Sequence, residues 1–167
     1  MSAEPDKLLS IYLNDHLAGA TVGVELARRL RASNDDEPYF GSPLAELCAE
    51  IEADRESLEE AMERLDISRS KVKPAAAWAG EKLGRLKLNG QLMGYSPLSR
   101  LVELELLLIG ITGKLRMWKS LEQSRGDLGV DFGRLAERAQ RQRDKVEGLH
   151  RLGVSVAFAK SNERAGR

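Results

Sequence analysis

The sequence predicts an all-α fold, an antiparallel up-down bundle drawn from five helices. Three observations carry that expectation. Apolar residues recur close to every 3.6 positions along almost all of the 167 residues. Runs of β-branched residues are scarce, so nothing favours strands. The polar, glycine- and proline-bearing connections are mostly short, and short connections between long helices favour antiparallel neighbours.

The first helix is expected over 6–32, with Leu9, Leu13, Leu17, Ala20, Val24 and Ala27 as its core stripe. It ends before SNDDEPYFGSP, a polar turn-rich stretch. The second is expected over 43–66, with Ser42 as N-cap and Pro43 in its first turn. Its stripe is Leu44, Leu47, Ile51, Leu58, Met62 and Leu65. A third is expected over 71–89, stopping at NGQLMGYSP. The fourth starts after Ser96-Pro97 and runs to 124, and the fifth covers 131–159 after the loop RGDLGV. Residues 1–160 are thus expected to form one helical-bundle domain, with 161–167 a flexible tail.

Composition narrows the function classes. Hydrophobic residues at 42% and charged residues at 31% fit an ordinary folded protein. One cysteine, Cys48, excludes an internal disulfide and a cysteine-rich zinc site. The run Leu101 to Ile111 is too short for a membrane span, which needs about 20 apolar residues. With no secretory pattern at MSAEPDKLL, the expected location is cytoplasmic, with no membrane partner. A net charge of zero argues against a nucleic-acid partner. Charge is nevertheless segregated. Residues 44–66 hold nine acids against Arg55 and Arg64, a balance of −7, and residues 69–100 hold seven bases against Glu81, a balance of +6. Mutual neutralisation within the chain explains this, and so does a homodimer that sets acid on base twice. The expected partner is therefore a second copy of the chain.

The candidate chemistry centres on LVELELLLIG, where Glu103 and Glu105 interrupt an apolar run. A buried carboxylate needs a partner. Arg100 stands three residues before Glu103, which suits an intrahelical pair. Glu105 shares a face with Leu98, Leu101 and Ile109, and is expected to point inward toward His150, Arg55 or Arg143. His16 falls in the first helix's stripe, and Glu147-Gly-Leu-His150 makes one Glu-x-x-His step on the fifth. Arg85, Lys87 and Arg100 make a separate candidate anion pocket where the fourth helix begins, because helix N-termini expose free N–H groups.

The phrases YLNDHLAGATVGVELARRL and EKLGRLKLNGQLMGYSPLSRLVELE, with the long segment between two helix pairs, resemble a group of bacterial proteins of ferritin-like shape. The resemblance implies a ferritin-like bundle with the third of the five helices as crossover. It also implies that Glu105, Glu147 and His150, with Glu50 or Asp54, are the positions for an iron or manganese site. The sequence departs from that pattern in the second helix, where Ala49 and Ala53 stand where a histidine belongs, and in Glu25, which falls on the opposite face. At ~1.5 Å rise per residue, Glu105 and His150 share one level, roughly 10 Å above His16 and Asp54. Two metal ions need ~3.5 to 4 Å between them. The expectation is therefore a non-enzymatic scaffold or interaction protein without cofactor and without catalytic residues. The alternative is a ferritin-like metal-carboxylate oxidoreductase or metal-binding protein.

Overall fold

The computed structural model describes residues 3–69 and 94–159. These form four helices: α1 (Ala3–Ala32), α2 (Gly41–Arg64), α3 (Pro97–Arg125) and α4 (Phe132–Ala157). No strand occurs among the described residues. The expected helix over 71–89, and with it the crossover, lies outside them.

Local chemistry sets the ends. Ser96 caps α3 by accepting a hydrogen bond from the Ser99 N–H at 3.1 Å, with Pro97 opening the first turn. Asp131 caps α4 in the same way through the Arg134 N–H at 2.9 Å. The expected cap at Ser42 is not used. α2 already begins at Gly41, after Phe40, whose side chain makes no capping bond. A Cβ at Gly41 would sit 2.5 Å from the Asp35 carbonyl oxygen, so the tight 33–40 turn demands glycine there. At the other end of α2, Asp66 takes a left-handed conformation (φ 54°) and the Ile67 N–H closes on the Met62 carbonyl.

Cross-helix contacts give the relative directions. Arg28 reaches Glu52 at 2.6 Å and Asn14 reaches the Ser68 carbonyl at 3.2 Å, so α1 and α2 are antiparallel. Lys114 with Gln142 and Glu105 with His150 do the same for α3 and α4. Arg29 with Glu103 and Asp6 with Arg125 set α1 against α3. Glu46 with Lys145, and Arg64 with the Leu128 carbonyl, set α2 against α4.

The core divides into two apolar clusters. One holds Leu30, Phe40, Leu44, Leu47, Leu104 and Val146, and the other Leu13, Leu17, Leu58, Met62, Trp118 and Phe132. Trp118 and Phe132 stack with ring centroids 6.1 Å apart, which fixes the α3–α4 turn against the second cluster. The acids of α2 are neutralised by named neighbours: Glu46 by Lys145, Glu52 by Arg28, and Glu59 by Arg55 and Arg69. Lys71, Lys73, Lys82, Arg85 and Lys87 of the basic stretch that follows α2 lie outside the described residues.

Candidate functional site

Between the two apolar clusters lies a buried polar layer. Asp54 on α2 is only 2% exposed. It falls between Ile51 and Leu58, which belong to different clusters. Its Oδ1 accepts from Arg138 Nε at 2.7 Å. Its Oδ2 accepts from Gln142 Nε2 at 2.9 Å and from the Lys114 ammonium. Lys114 also donates to Gln142 Oε1 at 2.6 Å. Three helices are thus joined through one carboxylate. Burial pushes the Lys114 ammonium below its ordinary range, while Asp54 opposes that shift.

This layer faces two openings. Lys114 and Asp54 line a cavity of about 630 Å³ between α1, α2 and α3. Its walls are chiefly apolar: Leu26, Ile51, Leu58, Leu107, Ile111 and Met117. Gly19 and Gly23 on α1 and Gly110 and Gly113 on α3 also line it, and a Cβ added at any of them meets nothing within 4 Å. The missing side chains account for the room. His16 lies at the cavity with its ring edge-on to Tyr12, centroids 4.5 Å apart. Burial lowers its pKa from the ordinary 6.5, against the pull of Asp15. On the far side Arg138 opens onto a polar groove with Arg64, Arg134 and Arg141, in which Glu60 and Asp131 supply the acids.

A second polar group closes the end of the bundle near the 33–40 turn. Glu103, fully buried, accepts a hydrogen bond from the Tyr95 hydroxyl at 3.0 Å on Oε2. Arg29 Nε stands 2.8 Å from Oε1 as an ion pair without hydrogen-bond alignment. The expected Arg100 pairing is therefore corrected. Arg100 instead donates to Asn34, reaches Glu37 at 2.9 Å and lies over the Phe40 ring at 4.2 Å. Buried and committed in this way, Arg100 is not a free member of the expected anion pocket. Arg85 and Lys87 lie outside the described residues.

The expected inward direction of Glu105 is also corrected, since its side chain is 52% exposed. Of its companions, Leu98 and Ile109 are exposed while Leu101 is buried, so Glu105 stands at the edge of the packed face of α3. Glu105 does meet His150, with Nε2 to Oε1 at 3.1 Å. Glu147 pairs with Arg143 at 3.5 Å, and Arg55 with Glu59 at 3.1 Å. Among the described residues, no three His, Cys, Asp or Glu side chains come together in a way that could hold a metal ion. Cys48 is free and buried, and burial pushes its thiol pKa up.

Nothing in the sequence pattern singles out Gln142 or Arg138, or marks Lys114 as a functional residue. One signal of burial was present: Lys114 shares a helical face with Glu103 and Leu121, so burying either of those buries the lysine. No family model matches the chain, and neither a curated protein nor a solved structure matches it. No described helix is long and apolar enough to cross a membrane.

Proposed function

We propose that the chain is a non-enzymatic helical-bundle protein of the cytoplasm, a scaffold or interaction module with the helix order of the ferritin-like superfamily. The observation that carries this reading is the environment of Asp54. A bundle that binds metal through inward carboxylates needs them free of competing cations. Here an ammonium and a guanidinium already hold both oxygens of the buried aspartate. A divalent ion would have to displace two cations from a desolvated site. A buried carboxylate engaged from two other helices in this way suits fixing helix register. The antiparallel pairings, together with the long connection from Arg64 to Pro97, support the ferritin-like order.

The contact between His150 and Glu105 favours the second reading, a ferritin-like metal-carboxylate oxidoreductase or metal-binding protein using Glu105, Glu147 and His150. Elemental analysis of protein purified without chelator separates the two. The scaffold reading expects iron and manganese far below stoichiometry. Near-stoichiometric metal that is lost in Glu105→Ala or His150→Ala would establish the alternative. The assembly this reading favours is a homodimer, supported by the exposed apolar Leu106 and Ile109 on α3. Sedimentation showing only the 18.5 kDa chain at micromolar concentration would rule that assembly out.

A further inference from the structure

The polar layer is unbalanced in direct contacts. Two cations, Lys114 and Arg138, share the single carboxylate of Asp54. Glu50, one turn earlier on α2 and partly exposed, adds only a more distant attraction. An ammonium has three N–H donors. Asp54 Oδ2 and Gln142 Oε1 take two of them. Lys114 lines the cavity, and the hydrogen bonds among the described residues leave its third donor without an acceptor. One turn along α3, Trp118 lines the same cavity. Its buried Nε1–H has no acceptor among the described residues. Lys114 thus brings a charged donor to a space whose walls are chiefly apolar, with Asp15, His16 and Arg55 also on its lining. Such a combination selects a molecule with an apolar body and an anionic acceptor at one end. The volume of about 630 Å³ lies within the range of small-molecule sites.

We propose that the cavity between α1, α2 and α3 binds an apolar carboxylate of the fatty-acid type. Its carboxylate accepts from Lys114, and its chain runs along the walls left open by Gly19, Gly23 and Gly110. The carboxylate supplies the second negative charge that the layer lacks. This goes beyond the scaffold reading and does not depend on it, since the metal analysis above leaves the cavity unchanged.

Calorimetric titration of the full chain with decanoate, below its micelle concentration, tests the proposal. One saturable site is expected, with decanol bound about tenfold or more weakly, since it offers the same chain without the charge. Gly23→Leu places a side chain where the added Cβ meets nothing within 4 Å, and is expected to remove binding of both. Lys114→Met is expected to bring decanoate down to the affinity of decanol. Should that variant fail to fold, the decanoate–decanol comparison and Gly23→Leu decide the matter. No saturable site, equal binding of decanoate and decanol, or undiminished binding in Gly23→Leu overturns the proposal.

Discussion

Glu103 on α3 and Arg29 on α1 form an ion pair at 2.8 Å, with the carboxylate wholly buried and the guanidinium partly exposed. Burial raises the Glu103 pKa above the ordinary 4.5, while Arg29 and the Tyr95 hydroxyl hold it back. Between 4.5 and that raised value the folded chain holds more proton at this site than the unfolded chain. The contribution of Glu103 to stability is therefore full below 4.5 and declines as pH rises through the folded value. Urea midpoints of the unaltered protein and Glu103→Gln, compared across about pH 4 to 7, check this. The unaltered protein should lose ground against the variant as pH rises. A constant difference between them contradicts the assignment.

Removing the carboxylate of Asp54 strands two cations in the core. Asp54→Ala should cost about 3 to 5 kcal/mol in urea denaturation. Lys114→Met added to Asp54→Ala should recover part of that loss, because it removes one of the stranded charges. Strictly additive losses would mean that the two side chains are not coupled.

Two glycines should respond with opposite sign. Gly41→Ala drives a Cβ to 2.5 Å from the Asp35 carbonyl and should cost about 1 to 3 kcal/mol. Gly23→Ala meets nothing within 4 Å and should gain about 0.5 to 1 kcal/mol from better helix propensity. Thermal melts of the two variants read both signs directly.

His16 is held below its ordinary pKa of 6.5 by burial. Between the folded value and 6.5 the unfolded chain binds more proton. The contribution of His16 to stability is therefore full above 6.5 and is lost as pH falls through the folded value. An NMR titration of the His16 ring protons should give a midpoint below 6.5. A midpoint at or above 6.5 would show that the ring is not desolvated as described.

The helices were legible because periodicity and punctuation agree. Leu13, Leu17, Val24 and Ala27 on α1 and Leu44, Leu47, Ile51, Leu58 and Met62 on α2 were all expected in the core and are buried. The start of α3 was visible in Ser96-Pro97, whereas Ser42 misled because the close approach of Gly41 to Asp35 begins α2 earlier. The direction of Glu105 and the partner of Glu103 were not legible, for a different reason. Apolar residues surround α3 between 101 and 111, so the local pattern gives no direction to its inner face. Arg100 was the nearest base in sequence, but the partner is Arg29, 74 positions from Glu103. The level estimate succeeded where the face estimate did not, since it placed Glu105 beside His150. Asp54 stood out in the sequence only as one of two alternative metal positions on α2, not as a shared acceptor. Only the meeting of α2, α3 and α4 distinguishes it from the solvated acids.

α1 is fastened to α3 near both of its ends, by Asp6 with Arg125 and by Arg29 with Glu103. Between those fastenings come Gly19 and Gly23, facing the open space beside Gly110 and Gly113. Gly19 and Gly110 are themselves exposed, so this space meets solvent along the side of the bundle. A small molecule can therefore enter between the helices with both ion pairs and every helical hydrogen bond in place.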